Sequence, residues 1–211
     1  MNIMRKFTLP QSTLKLLLIF SIILGANKLA FAEDTLQTAV FGGGCFWGVD
    51  AVFKHVKGVT EVVSGYSGGS ESTADYETVS TGKTGHAESV QIRFDPKLVS
   101  YSQLLQVFFK VAHNPTMLNH QGPDSGTQYR SVIFYMDESQ FKTATDLIHQ
   151  LTTSHVFPSP IVTQLTPYKK FYPAESYHQN YLALHPYQPY IVINDMPKIE
   201  HLKENFPDLY H

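Results

Sequence analysis

Apolar and polar residues alternate along several short stretches of the chain, and this pattern predicts β-strands. Between Ala87 and Phe94 the alternation is regular and puts Val90, Ile92 and Phe94 on one face of a strand. Glu88 has the same parity as these three residues, so the pattern points its carboxyl toward the protein interior. Apolar runs that are also typical of strands cover residues 37–41, 59–66, 131–135 and 161–165.

Helices are predicted between these strands. One begins next to Cys45, because apolar residues then recur at helical spacing at Val49, Val52, Phe53 and Val56. A short helix is expected over 75–79. Ser100 and Gln103 have the spacing of a capping box in front of another helix. Asp137 is the predicted N-cap of a further helix, whose buried side consists of Phe141, Ala144, Ile148 and Leu151.

Two regions show no periodic pattern of apolar residues. They are the segment 113–128 and the C-terminal tail, which is rich in Pro and Tyr. We expect both to be largely irregular, and a loop as long as the first is usually functional or disordered. Elsewhere strands alternate with helices, but the turns are short and the periods are broken. The pattern therefore predicts a compact α+β domain with one mixed β-sheet flanked by helices.

The N-terminus has the layout of a secretory signal peptide. Basic residues precede the apolar run 16–24, which is followed by the small-residue cleavage pattern Ala30-Phe31-Ala32. The run is short for a membrane span, and an uncleaved N-terminal anchor is the alternative. We expect a signal peptide over 1–32 and one domain over 33–211. The protein is then periplasmic or secreted, with no stable membrane association after cleavage near Ala32.

The charge balance gives no sign of a nucleic acid or anionic membrane as partner. Residues 1–32 hold four basic and no acidic side chains, so the remaining chain has 12 basic against 18 acidic side chains, a formal charge of −6. A surface that binds phosphate groups carries the opposite excess.

The chain contains one cysteine, Cys45, and therefore cannot form an internal disulfide. In an exported protein this is unusual, since such chains often carry paired cysteines. A lone cysteine fits a thiol retained for chemistry, and it also fits a residue with no role. The count alone does not distinguish the two.

The stretch Gly42–Gly48 surrounds this cysteine with three preceding glycines and the aromatic residues Phe46 and Trp47. At a helix N-terminus, unpaired N–H groups and the helix dipole stabilise a thiolate and lower its pKa. The glycines allow a sharp turn and a close approach of another molecule to the sulfur. Free cysteines are most often small buried hydrophobes, but these neighbours favour a reactive thiol.

A reactive thiol supports three kinds of chemistry. Acyl transfer requires a general-base histidine; ten histidines are present, but none lies in a local signature of a cysteine hydrolase. One cysteine without closely spaced histidines does not make a metal site. Attack on an oxidised sulfur requires a neutral acid near pH 7, hydroxyl donors and an apolar wall.

The inward position of Glu88 offers that acid, because desolvation raises the pKa of a buried carboxyl. On spacing alone, this interpretation and its alternative carry equal weight. In the alternative, Glu88 lies at the mouth of its strand or pairs with a lysine or arginine. The tyrosines offer hydroxyl donors, and Phe46 and Trp47 offer the apolar wall.

Four ordered motifs resemble those of the A-type peptide methionine sulfoxide reductases. They are Gly44–Gly48, Thr84–Glu88, Asp124–Ser131 and Ala174–Gln179. The resemblance extends from Ala39 to Pro186 and implies the family's ferredoxin-like α+β fold. It also implies reduction of the S epimer of methionine sulfoxide, since each epimer has its own enzyme.

The resemblance assigns the central chemistry to two residues. It implies that Cys45 attacks the sulfoxide sulfur and ends as a sulfenic acid. It implies that Glu88 protonates the departing oxygen. The function that follows is the repair of oxidised proteins and peptides.

The resemblance also implies how the substrate is held. Tyr76 and Tyr129 hydrogen-bond the sulfoxide oxygen, and Asp124 assists through a water molecule. Phe46 and Trp47 hold the methyl group.

The chain departs from the family pattern in three places. Asp50 stands where Glu is common, and Asn114 and Pro123 replace the usual Asp and Asn. These changes affect loop hydrogen bonding and leave the assigned roles occupied. His86 and His178 lie within the motifs, and we interpret them as structural hydrogen-bonding residues.

Many relatives also carry C-terminal cysteines that resolve the sulfenic acid as an internal disulfide. This chain has none, so a sulfenic acid on Cys45 must be reduced by an external thiol. We expect a thioredoxin-like protein, a glutaredoxin-like protein or a small thiol, and no bound cofactor or metal.

Two other functions remain open from the sequence. One is a cysteine hydrolase that pairs Cys45 with an unidentified histidine. The other is a non-catalytic module whose aromatic pocket binds exposed methionine or its sulfoxide.

Overall fold

A six-stranded sheet with helices packed against it organises the domain. The computed structural model describes Met1 and residues 36–211, and Leu36–His211 is one compact unit. In chain order its main elements are β1 (Gln37–Gly42), α1 (Phe46–Lys54), β2 (Val59–Ser67), α2 (Tyr76–Val79), β3 (Ala87–Phe94), α3 (Tyr101–Val107), β4 (His120–Gln121), β5 (Asp124–Ser125), β6 (Val132–Tyr135), α4 (Glu138–Thr153), β7 (Gln164–Pro167), β8 (Phe171–Pro173), α5 (Tyr181–Leu184) and α6 (Met196–Asn205).

The predicted signal peptide over 1–32 lies outside the described residues, except for Met1. Within the described part of the chain, no helix is long and apolar enough to cross a membrane.

The strands are arranged in the order β7-β6-β1-β3-β2-β8. β6 and β7 run parallel, and the other neighbouring pairs run antiparallel, so the predicted mixed sheet is confirmed. β1 lies between β3 and β6, and Phe41 pairs with Val90 on one side and Ile133 on the other. Since β1 ends at Gly42, the chain leaves the middle of the sheet just before Cys45.

One face of this sheet carries the main core. Val90, Ile92 and Phe94 are completely buried there, as their alternation predicts. They share a cluster with the apolar residues of α1 and α3. Burial of each such side chain contributes about 1.5–3 kcal/mol. Because Glu88 precedes Val90 by two residues, it lies on this face and is only 2% exposed.

The predicted helix starts agree with the structure. At α3 the Ser100 Oγ accepts a hydrogen bond from the Gln103 N–H at 3.2 Å, and the Ser100 N–H donates to Gln103 Oε1 at 2.9 Å, which completes the capping box. The Gln140 N–H donates to the N-cap Asp137 at 2.8 Å. Each cap satisfies an N–H group that the helix leaves unpaired.

The buried side of α4 differs from the prediction. It consists of Gln140, Ala144, Leu147 and Leu151, whereas Phe141 and Ile148 are only half-buried. The side chain of Gln140 explains why the buried side of α4 is shifted around the helix axis from the predicted one. Its Nε2 donates to the Thr38 carbonyl at 2.8 Å, and its Oε1 accepts from the Met136 N–H at 3.0 Å. A hydrogen-bonded polar residue thus occupies a position that the apolar count assigns to solvent.

Two regions predicted to be irregular contain regular structure. The segment 113–128 includes the small hairpin of β4 and β5. The C-terminal tail contains α5, a π-helical segment over Ile191–Asp195, and the ten-residue helix α6. Pro197 lies in the first turn of α6, where proline favours a helix start rather than a break. The strand predicted over 161–165 begins later, at Gln164.

Candidate active site

Cys45 lies where the chain leaves the sheet and enters α1. It is the N-cap residue of α1, as predicted, and is 9% exposed. Gly44 has a φ of 89°, in the left-handed region that favours glycine. A Cβ at Gly44 would lie 2.7 Å from the Cβ of Gln121. The glycine therefore lets the loop that carries Gln121 pack closely against this turn.

The carboxyl of Glu88 reaches the same point from β3. Its Oε2 accepts a hydrogen bond at 3.1 Å from the backbone N–H of Phe46, the residue after Cys45. Burial raises the pKa of Glu88 to about 8, although the Phe46 N–H opposes the shift. The inward position and the raised pKa are thus confirmed, and the carboxyl accepts its hydrogen bond from the backbone N–H of Phe46.

The thiol of Cys45 keeps its proton in this environment. Burial raises its pKa well above the ordinary value, and the negative charges of Glu88 and Asp195 raise it further. The Trp47 N–H and the Lys198 ammonium lower the pKa but are outweighed. The prediction that the helix N-terminus lowers this pKa is therefore wrong, because burial and two carboxyl groups outweigh the helix-end N–H.

Two tyrosines from separate elements face the thiol. Tyr76 opens α2, and Tyr129 ends a 3₁₀ turn over Thr127–Tyr129. Burial raises the pKa of both phenols, and ionisation of Glu88 or Cys45 raises both further. Both phenols therefore stay protonated and remain hydrogen-bond donors.

Asp124 in β5 approaches the site from the segment predicted to be a loop. Its Oδ2 accepts a hydrogen bond from the phenol of Tyr190. Its charge raises the pKa of Glu88, and its own pKa is raised by burial. The structure thus brings together the five residues predicted to act on the sulfoxide: Cys45, Tyr76, Glu88, Asp124 and Tyr129.

The two aromatic residues after the cysteine have different surroundings. Phe46 is 1% exposed, and its ring lies 5.0 Å from that of His178. Trp47 is half-buried and stacks on Tyr181 with ring centroids 3.7 Å apart. Its Nε1–H donates to His178 Nδ1 at 3.1 Å, which fixes the indole. Trp47 therefore offers more apolar surface than Phe46, which packs beneath it.

The histidine nearest the glycine turn is not poised to serve as a general base for an acyl transfer. A Cβ at Gly43 would lie 2.9 Å from the His113 ring. However, His113 Nδ1 is bonded to the Phe108 carbonyl at 2.9 Å, and Nε2 to Ser131 Oγ at 2.6 Å. Burial also lowers its pKa to about 3. Both ring nitrogens are thus engaged away from the thiol.

The sequence profile of the peptide methionine sulfoxide reductases matches residues 37–209. The chain belongs to this family. It is an enzyme of the A type, a peptide-methionine (S)-S-oxide reductase, in agreement with the resemblance noted in the sequence.

Curated relatives match nearly the whole described chain. The peptide methionine sulfoxide reductase MsrA 2 of Mesorhizobium japonicum is 60% identical over 174 residues, which cover 82% of this chain and 89% of the relative. The MsrA of Polynucleobacter asymbioticus is 49% identical over 175 residues, or 83% of this chain and 92% of that protein.

Solved structures confirm the α+β fold. The reduced form of Mxr1 from Saccharomyces cerevisiae aligns with a TM-score of 0.69 and 32% identity, covering 74% of this chain and 89% of that one. Methionine sulfoxide reductase A of Corynebacterium diphtheriae aligns with a TM-score of 0.62 and 31% identity, covering 73% and 78%.

Part of the reductase site comes from the C-terminal tail and was missed by sequence reasoning. Glu175 accepts hydrogen bonds from the Tyr76 N–H and the Tyr66 phenol, both at 2.9 Å. Tyr190 holds Asp124, and Asp195 and Lys198 act on the pKa of Cys45. Of these residues, only Glu175 lies within a motif recognised in the sequence, Ala174–Gln179. Tyr190, Asp195 and Lys198 lie beyond the motifs.

The reductase accommodates Asp50 in place of the usual Glu by an ion pair within α1. Lys54 Nζ lies 2.8 Å from its Oδ2. Burial nevertheless raises the pKa of Asp50 to about 6. Among the described residues, no group of three or more His, Cys, Asp or Glu side chains is arranged to hold a metal ion.

Proposed function

We propose that this reductase acts on protein-bound and free methionine S-sulfoxide through a sulfenic acid on Cys45, which an external thiol then reduces. The observation that carries the proposal is the meeting of nucleophile and acid at the start of α1. The N–H of Phe46, the residue after Cys45, donates to the carboxyl of Glu88 at 3.1 Å, so the acid lies next to the residue that carries the thiol.

The chemical step transfers one oxygen. The Cys45 sulfur attacks the sulfoxide sulfur as Glu88 gives a proton to the sulfoxide oxygen. The S–O bond of the substrate breaks, and the departing hydroxide attacks the Cys45 sulfur. This attack breaks the new bond between the Cys45 sulfur and the substrate sulfur, releases methionine and leaves Cys45 as a sulfenic acid. The thiol proton released by Cys45 restores the acid form of Glu88. The substrate sulfur gains two electrons and Cys45 loses two, so protons and electrons balance.

The surrounding residues stabilise this step. The phenols of Tyr76 and Tyr129 donate hydrogen bonds to the oxygen as negative charge develops on it. Asp124, oriented by Tyr190, assists through a water molecule. Trp47 holds the methyl group, and Phe46 supports it from below.

Recycling requires thiols from outside the chain. Because Cys45 is the only cysteine, one external thiol condenses with the sulfenic acid and releases water. A second thiol then displaces Cys45 from the mixed disulfide. A thioredoxin-like protein, a glutaredoxin-like protein or a small thiol has the required chemistry.

The expected signal peptide over 1–32 supports a location outside the cytoplasm. In the periplasm or after secretion, the substrates are oxidised proteins and peptides of that compartment, and the biological role is their repair. This part of the proposal rests on the N-terminal sequence pattern alone.

Turnover with separated epimers tests the substrate assignment. With dithiothreitol as reductant, residues 33–211 are expected to convert a peptide containing methionine S-sulfoxide to the methionine form repeatedly. The R-sulfoxide peptide, the same in composition, is the matched control and is expected to remain oxidised. Equal conversion of both epimers, or of neither, would contradict the proposal.

A further inference from the structure

An ion pair between a buried carboxyl and a partly exposed ammonium, both from the C-terminal tail, lies beside the catalytic motif. Asp195 ends the π-helical segment Ile191–Asp195 and is completely buried. Lys198, in the first turn of α6, donates from Nζ to Asp195 Oδ1 at 3.1 Å. The other carboxyl oxygen, Oδ2, has no hydrogen-bond partner among the described residues. A buried carboxylate with one partner is costly, because burial removes the water that would stabilise its charge.

The pair packs directly on Gly48 of α1. A Cβ at Gly48 would overlap Asp195 Oδ1 and would lie 2.6 Å from Lys198 Nζ. Gly48 follows Cys45 by three residues, and positions three apart lie on the same side of a helix, about 5–6 Å from each other. The glycine at this position therefore brings both charged groups alongside the thiol.

The titratable groups around the thiol are mostly carboxyl groups and phenols. Glu88 on β3 and Asp195 in the π-helical segment act on the pKa of Cys45, and Asp124 on β5 acts on that of Glu88. The phenols that interact with Cys45 are those of Tyr76, Tyr129 and Tyr190. Lys198 supplies the opposing positive charge, which acts on Cys45 and on Asp124. The anionic sulfur that attacks the substrate needs such a counter-charge.

We propose that Lys198, anchored by Asp195 over Gly48, is a positioning residue of the reductase that holds an ammonium beside Cys45 and stabilises its anionic sulfur. Asp195 has two opposed effects: it fixes the ammonium in place, and it adds a negative charge of its own. The inference deepens the proposed function, since it concerns the same nucleophile.

Alkylation of Cys45 by iodoacetamide tests this without any sulfoxide. Because the chain has one cysteine, the pH dependence of the rate reports one thiol. Lys198→Met keeps an unbranched side chain, one atom shorter than lysine, and removes its charge. We expect the midpoint of the pH profile of alkylation to rise in this variant. Alkylation at neutral pH is expected to slow by about threefold to tenfold, since a rise of one pKa unit lowers the thiolate fraction about tenfold. Lys198→Arg keeps the charge and is expected to stay close to wild type.

Asp195→Asn is expected to shift the midpoint of the pH profile in the opposite direction, because it removes a negative charge while its amide oxygen can still accept the hydrogen bond from the Lys198 ammonium. If the pair only supported the fold, the midpoints of Lys198→Met and Asp195→Asn would shift in the same direction or would both stay unchanged. Equal midpoints in Lys198→Met and wild type, or shifts of the same sign in Lys198→Met and Asp195→Asn, would overturn the inference. If Asp195→Asn does not fold, the midpoints of Lys198→Met and Lys198→Arg are compared, and equal midpoints in these two variants would overturn the inference.

This result is separate from the test of the proposed function. A shifted midpoint in a protein without sulfoxide turnover would support the role of Lys198 in the thiol environment and reject the reductase mechanism. Normal turnover with an unshifted midpoint would support the reductase mechanism and reject the role of Lys198.

Discussion

Replacement of Cys45 with Ser is expected to lower the turnover of methionine S-sulfoxide by about 10⁴-fold or more, since loss of a covalent nucleophile typically costs this much. A serine hydroxyl at the start of α1 still accepts the Trp47 N–H that now points to the sulfur. It does not form a bond to sulfur in the way a thiolate does. No other cysteine is present to take its place.

The measurement is kcat/KM with a peptide S-sulfoxide and dithiothreitol, corrected for the reaction without enzyme. Cys45→Ala is a second variant that also removes the hydrogen-bonding group. Unchanged melting temperatures would show that both variants fold. Turnover within tenfold of wild type in either variant would exclude Cys45 as the nucleophile.

Replacement of Glu88 with Gln is expected to slow the chemical step by about 10²–10⁴-fold, the usual contribution of a general acid. The Gln carbonyl oxygen can still accept the Phe46 N–H, which is 3.1 Å from the carboxyl in the wild type. Substrate binding is therefore expected to change little. Glu61→Gln, on the exposed end of β2 where Glu61 pairs loosely with Arg93 at 3.5 Å, is the matched control.

The pH dependence separates an acid role from a packing role. The pKa of Glu88 is raised to about 8, so the acid form prevails at neutral pH and is lost as pH rises through that value. The kcat/KM of the wild type is expected to fall above about pH 8 for this reason, and Glu88→Gln is expected to lose that fall. Since Cys45 and Glu88 influence each other, the measured values belong to the pair. Wild-type rates in the Gln variant would remove Glu88 from its assigned role.

Much of the sheet and the first half of the site was predictable from local sequence. The alternation in β3 specified both the core face and the inward position of Glu88, because a strand admits only two side-chain directions. The helix after Cys45 followed from the spacing of Val49, Val52 and Phe53. In each case the signal lay within ten residues.

The protonation state of the thiol was not predictable in this way. The helix N-terminus is a local feature, but the burial of Cys45 and the carboxyl of Asp195 come from segments far away in the chain. For the same reason the role of Tyr190 was hidden, since its phenol meets Asp124 across 66 positions. In α4 the polar Gln140 is buried because its side chain bonds to the backbone of β1, which no count of apolar residues reveals.

The central claim is that one thiol takes the oxygen of the substrate. Mass spectrometry of residues 33–211 after incubation with methionine S-sulfoxide and no reductant tests it most directly. We predict one added oxygen on the peptide containing Cys45, trapped by dimedone, and one methionine formed per enzyme chain. An unmodified Cys45 together with formed methionine, or several methionines per chain in the absence of any thiol, would contradict the account.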